Sequence, residues 1–327
     1  MLDAAKAAAE FRINGDYVIN LIRAFYYRIY RLRLLNNYPK PGDYHKTIWS
    51  QEEGNNLIRN SLLSPGPLMV TRFGSIELDC LTYYLKFRKN SKFKKMSYND
   101  QTRNSMLENA GFFPTDNDSL DAFSELYINC INQIDFIGVW FNFYENIVCQ
   151  RFCSYAYLIP LRSIEPYYSG NPWSKSLENK KILVIHPFKE SIESQYKKRN
   201  LLFSNKDVLP YFELITLKAV QSIAKTKTGF ETWFDAYEHM CAEVKKIDFD
   251  IAIIGAGAYG LPLAFYAKSL GKKAIHMGGA TQIMFGIKGR RWDQHEVISK
   301  LYNEYWVRPL PSERPDQYHK IEEGCYW

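Results

Sequence analysis

The sequence predicts an α/β protein: an open, Rossmann-like, mostly parallel sheet with helices on both faces, preceded by an N-terminal helical arm. Three observations predict it. Short apolar runs such as Ile182-Leu183-Val184-Ile185 alternate with helix-length amphipathic stretches, the pattern of parallel strands buried on both faces. The run ending at Ile254 passes into Gly255-Ala256-Gly257-Ala258-Tyr259-Gly260 and then into a helical pattern, a strand–glycine loop–helix unit. Polar or glycine residues recur directly after several of the strands, where open α/β sheets bind ligands.

Taken in order, residues 1–42 read as the arm and its linker. Residues 43–327 read as one domain whose C-terminal tail packs back on it. In the arm, Val18, Leu21, Ile22, Phe25, Ile29 and Leu32 recur at helical spacing, with Arg23, Arg28, Arg31 and Arg33 among them. Such a helix suits peripheral contact with an anionic membrane, or packing on the domain or on a second copy as a homodimer. Asn36 to Gly42 carries two prolines and a glycine and reads as a linker. Ser50 and Glu53 have capping-box spacing and open a helix. Leu68-Met69-Val70 is a strand, followed by a helix carrying Leu78, Leu81, Tyr84 and Leu85. Helices follow near 100–109 and 118–132, then a strand at Phe136–Trp140. The stretch to about Asn171 is aromatic and shows no clear period. Beyond Lys180 come strands at 182–185, 212–217, 249–254 and 273–276. Helices run through Ile192 and Tyr196 and across about 230–246 and 259–270.

Composition narrows the function classes. Apolar residues make up 46% of the 327 positions and charged residues 24%, which fits a globular chain that buries a sizeable core. The net charge of +7 suits an anionic small ligand or an anionic surface and falls short of a dedicated nucleic-acid binder. The basic run from Lys86 to Lys95 reads as a solvated helix end and loop. Six cysteines without a CxxC pair read as buried thiols, and with no signal peptide apparent they point to the cytoplasm. No apolar run reaches the ~20 residues needed to span a bilayer.

Residues after the strands supply the candidate site. Arg72, Ser75 and Glu77 follow the first strand. His186, Phe188, Glu190 and Ser191 follow the strand at 182–185. The loop Gly255, Gly257, Tyr259 and Gly260 offers backbone and a helix N-terminus to a phosphate. His276, Gly278, Gly279 and Gln282 follow the last strand, and Phe285-Gly286-Ile287-Lys288-Gly289-Arg290-Arg291-Trp292 reads as an anion clamp through Lys288 and Arg290, with Trp292 to stack. An NAD site needs an acidic residue ending the strand after the glycine loop. That strand ends at His276, so no NAD is expected.

The Arg72-Phe73-Gly74-Ser75-Ile76-Glu77 turn resembles that of the GT-D fold glycosyltransferases, whose pattern there is Arg-Phe-Gly-Asp-Gly-Glu. Val184-Ile185-His186-Pro187-Phe188, the glycine loop, Ile275-His276-Met277-Gly278-Gly279-Ala280, residues 285–292 and Gly324-Cys325-Tyr326-Trp327 look like a GT-D-like group found among bacterial polysaccharide genes. The resemblance covers about 65–327. It implies sugar transfer from a nucleotide-sugar donor, UDP-linked by preference, to a glycan or lipid-linked acceptor, and with the basic arm the expected place is the cytoplasm, in peripheral contact with the cytoplasmic face of a membrane. In the family the Asp and Glu of the turn belong to a metal- and diphosphate-associated motif. Carried over, the Glu is Glu77 and the Asp position holds Ser75, a poor replacement for a carboxylate ligand to Mn²⁺ or Mg²⁺. Glu77, His186 and Glu190 are the candidate catalytic groups, with Glu77 first. Two alternatives differ in class: a non-catalytic nucleotide-sugar or glycan-binding relative, and an NAD-dependent enzyme.

Overall fold

The computed structural model describes residues 38–89, 96–321 and 323–327. The arm, residues 1–37, and residues 90–95 of the basic run lie outside them. Seven strands form one sheet: β1 (Leu68–Thr71), β2 (Phe136–Val139), β3 (Tyr157–Pro160), β4 (Lys181–His186), β5 (Glu213–Lys218), β6 (Ile251–Ile254) and β7 (Lys273–His276). Their order is β3-β2-β1-β7-β6-β4-β5 and every pairing is parallel. The predicted α/β fold is therefore the observed one. β3 is the strand that the sequence reading missed.

Alternation along the strands builds two cores. Met69, Leu183, Ile185, Ala252 and Ile254 face one layer, while Leu68, Val70, Ile182, Val184, Ile251 and Ile253 face the other. Helices α2 (Ser75–Phe87), α4 (Asn117–Ile131), α7 (Trp233–Lys246) and α8 (Gly260–Ser269) contribute to the first layer. Helices α1 (Gln51–Leu63) and α6 (Lys189–Tyr196) contribute to the second, together with tail residues Trp306, Ile321, Cys325 and Trp327. The remaining longer helices are α3 (Asp100–Glu108) and α5 (Glu145–Phe152). Each fully buried Val, Leu or Ile contributes about 1.5–3 kcal/mol, so two filled layers hold a sheet of four- to six-residue strands rigid. Ser50 caps α1 through the reciprocal bonds that its spacing predicts, Glu53 N–H to Ser50 Oγ at 3.3 Å and Ser50 N–H to Glu53 Oε2 at 2.9 Å.

The chain is anchored just past the linker. Tyr44 is buried and its hydroxyl donates to Glu145 Oε2 at 2.7 Å. All six cysteines are free and buried. Arg88 of the basic run pairs with Asp121 and stacks on Tyr98, so packing occupies it. Among the described residues no helix is long and apolar enough to cross a membrane.

Candidate functional site

The four central strands, β1, β7, β6 and β4, are neighbours in the sheet. From β1 the chain moves outward to β2, while β7 returns on the other flank of β1. A crevice opens where such connections diverge. A cavity of about 160 Å³ lies there, lined by Arg72, Ser75, Glu77, His186, Phe188, Gly255, Gly257, His276, Gly278, Gly279 and Gln282. Arg291, Trp140, Tyr127, Asn109, Gln221, Tyr326 and Trp327 line it too.

The Arg72–Glu77 turn is built by close packing. Gly74 is the N-cap of α2, so Ser75 is the first helical residue and does not cap. The Glu77 carboxyl lies over the Gly74 Cα, space that any side chain at 74 would fill. Burial raises the Glu77 pKa, and the Arg72 guanidinium partly opposes this. Arg72 Nη1 donates to the Phe73 carbonyl at 2.8 Å, and its Cζ lies 5.3 Å from the Trp140 ring centroid. Trp140 Nε1 donates to the same carbonyl at 3.1 Å. Gly278 packs against the guanidinium: its φ is +61°, and a Cβ there would stand 2.5 Å from Arg72 Nη2.

A buried carboxylate shapes the Trp140 loop. Glu145 Oε2 accepts from Trp140 N–H at 3.1 Å, Asn142 N–H at 3.2 Å and the Tyr44 hydroxyl. Burial pushes its pKa up to about 7. Glu165, beyond β3, is raised to about 7 by the same cause, with Arg72 pulling against it.

Both histidines are neutral. His186 Nδ1 accepts from Phe188 N–H at 3.0 Å, which leaves Nε2 with the proton, and burial lowers the pKa to about 3. His276 Nδ1 lies 3.2 Å from the Ile254 carbonyl and so carries the proton. Burial and then Arg72 lower its pKa to about 3. One ring is left with a donor and the other with an acceptor. Gln282 Nε2 donates to the Tyr326 carbonyl at 3.1 Å and the Ile287 carbonyl at 3.3 Å, while its Oε1 is buried without a partner in the protein.

A profile of the GT-D fold-like domain matches residues 50–284. The chain belongs to the GT-D-like family. Two solved structures are similar to it, each over 83% of this chain and 94% of the other. One is described as "The highly conserved domain of unknown function 1792 has a distinct glycosyltransferase fold", with 11% identity and a TM-score of 0.46. The other is a selenomethionine form of domain of unknown function 1792, with 10% identity and a TM-score of 0.44. No curated protein matches.

Not every sequence-predicted residue of this GT-D-like chain reaches the cleft. In the glycine loop Gly255 and Gly257 line the cleft, while several of the loop's amides bond within the protein. Gly255 N–H bonds Ile185 O at 2.9 Å, Ala258 N–H bonds Ala110 O at 3.4 Å, Tyr259 N–H bonds Ala256 O at 3.1 Å, and Gly260 N–H bonds Gly257 O. Tyr259 stacks on Trp233 with centroids 4.6 Å apart, and the Gly260 Cα faces the His276 ring with no room for a Cβ. Close packing thus requires glycine at 255 and 260, while Gly257 lines the cleft. On α6, Ser191 N–H donates to Glu313 Oε1 at 3.0 Å and its hydroxyl to Oε2, so the tail's own carboxylate covers that helix start. Glu190 pairs with Lys218 at 3.1 Å, outside the cleft. Lys288 lies over the Tyr302 ring, Arg290 is exposed beside Glu323, and Trp292 is buried against Tyr326. Of the missed residues, Arg291 and Tyr326 lie in motifs the sequence singles out. Trp140 follows β2 at the edge of an aromatic stretch whose period hid it.

The family's divalent metal fits this donor set poorly. Among the described residues no trio of His, Cys, Asp or Glu is arranged to hold a metal. The cleft offers one carboxylate, Glu77, whose charged form burial disfavours and which stands beside a guanidinium. Ser75 adds at most a hydroxyl, which leaves Glu77 as the cleft's single charged oxygen ligand for such an ion.

Proposed function

We propose that this chain is a glycosyltransferase that moves a sugar from a nucleotide-sugar donor, UDP-linked first, to a glycan or lipid-linked acceptor in polysaccharide assembly. The observation that carries the proposal is the Arg72–Glu77 turn at the crevice of the four central strands, with Trp140 38% exposed beside it. Trp140 offers a face on which a base or sugar can stack. Arg72 supplies a fixed positive charge where the leaving diphosphate gains charge. The acceptor hydroxyl oxygen bonds the anomeric carbon, the bond from that carbon to the diphosphate oxygen breaks, and the hydroxyl proton passes to Glu77. A buried carboxylate with a raised pKa is suited to that proton. Tyr326 and Trp327 wall the cleft and limit water at the donor.

Family membership supports this reading, and Ser75 favours the second one, a binding protein without turnover. The test is release of nucleoside diphosphate from a panel of nucleotide sugars with simple glycan acceptors. Saturable release that Glu77→Gln abolishes supports transfer, whereas binding without release favours the second reading. Membrane contact through residues 1–42 belongs to the same proposal. Co-sedimentation of the full chain with anionic vesicles, lost when Arg23, Arg28, Arg31 and Arg33 become Gln, is its check.

A further inference from the structure

We propose that Arg72 and Arg291 form a two-guanidinium cradle that holds the donor diphosphate without a divalent cation. The inference rests on the transferase reading and goes beyond it by naming how the charge is met. Three observations carry it. First, the metal donor set is deficient, as shown above: one buried carboxyl beside a guanidinium, and Ser75. A cation seated there would meet the Arg72 charge at close range.

Second, a short chain of contacts joins the two guanidinia along one wall of the cavity. Arg72 packs on Gly278, the Gly279 Cα faces the Tyr326 ring, and Arg291 Cζ stands 4.9 Å from that ring's centroid. Both arginines line the same cavity. The backbone of Arg291 is fixed as well, its N–H donating to the Cys325 carbonyl at 3.1 Å. Guanidinium forks match phosphate oxygens in pairs, so two of them can serve both phosphates of a diphosphate.

Third, the other positive groups are placed elsewhere. Lys288 and Arg290 are not among the residues that line the cavity, Arg290 pairs with Glu323 at 3.1 Å, and Glu313 covers the start of α6. The unpartnered Gln282 Oε1 lines the same wall and would accept from a ligand hydroxyl or N–H. The wall thus has a polar group that a ligand completes.

The test is titration calorimetry of the full chain with UDP, GDP, ADP and inorganic pyrophosphate, each in EDTA and in Mn²⁺. We expect a diphosphate to bind equally in both. We expect Arg72→Met and Arg291→Met each to weaken it about tenfold or more, and Arg290→Met to leave it unchanged. Circular dichroism and the urea midpoint confirm that each variant is folded. Binding that requires Mn²⁺ overturns the metal-free cradle and leaves the transferase reading standing. Binding in EDTA that is indifferent to Arg291 overturns the cradle's second arm. No binding of any diphosphate or pyrophosphate overturns the transferase reading, and the cradle with it.

Discussion

Gly278→Ala isolates the packing that aims Arg72. Two costs are legible. The backbone at 278 has φ +61°, where an L side chain costs about 1–2 kcal/mol. The new Cβ would sit 2.5 Å from Arg72 Nη2, against about 3.4 Å for ordinary contact, so the guanidinium must retreat by about 0.9 Å, the difference of the two. A flexible side chain yields cheaply, so the stability loss should stay near the backbone term. Function should suffer more, because a misplacement of about 1 Å can cost up to ~100-fold. The assay pairs the urea midpoint with diphosphate titration, in wild type and in an Arg72→Ala background. The expected result is a loss of about 1–2 kcal/mol in both backgrounds, with a large affinity loss only where Arg72 is present. Equal diphosphate affinity in wild type and Gly278→Ala, with Arg72→Ala abolishing binding, would refute the claim that Gly278 positions Arg72.

Three other predictions concern buried polar and charged groups. Glu313→Ala leaves the buried Ser191 N–H without its carboxylate acceptor, at about 1–3 kcal/mol, while Leu310 N–H keeps the Ser191 hydroxyl as an acceptor. It should also loosen the tail, so limited proteolysis should cut near 310–327 faster than in wild type. Buried histidines with pKa about 3, against 6.5 unfolded, contribute stability that is present above pH 6.5 and lost as pH falls toward 3. Glu145 has the opposite sign: its pKa of about 7 against 4.5 unfolded means that stability falls as pH rises from about 4.5 through 7, by about 3 kcal/mol in all. Glu165 adds a second fall of the same size over the same range, so the two carboxyls largely offset the two histidines between about pH 4.5 and 7, and the urea midpoint should drop below pH 4.5, where the histidine loss is unopposed. Glu145→Gln should be less damaging at pH 8 than at pH 5, and the reverse ranking would contradict the burial argument.

Much of the fold was legible because strand burial writes itself into sequence. Ile182–Ile185 and Ile251–Ile254 are apolar throughout since both faces are covered. Tyr157–Pro160 is an edge strand with Tyr157 exposed and a proline at its end, so it carries neither an apolar run nor a clean period. The Arg72–Glu77 turn was legible from position alone, since it follows a central strand. The glycine loop was legible as a strand–loop–helix unit, but not the part each glycine plays: Gly255 and Gly260 make room for the His186 and His276 rings, while Gly255 and Gly257 line the cleft. The choice between Arg290 and Arg291 was not legible. Docking of the tail decides it, through Arg290 N–H to Trp327 O and Arg291 N–H to Cys325 O, and such long-range contacts leave no local signal.

The most direct test of the central claim is sugar transfer itself, followed as nucleoside diphosphate released from a nucleotide sugar and as glycosylated acceptor formed. The account predicts stoichiometric release and product with wild type, and neither with Glu77→Gln or Arg72→Met although both variants remain folded. Turnover that survives both substitutions would contradict the placement of the reaction at this cleft.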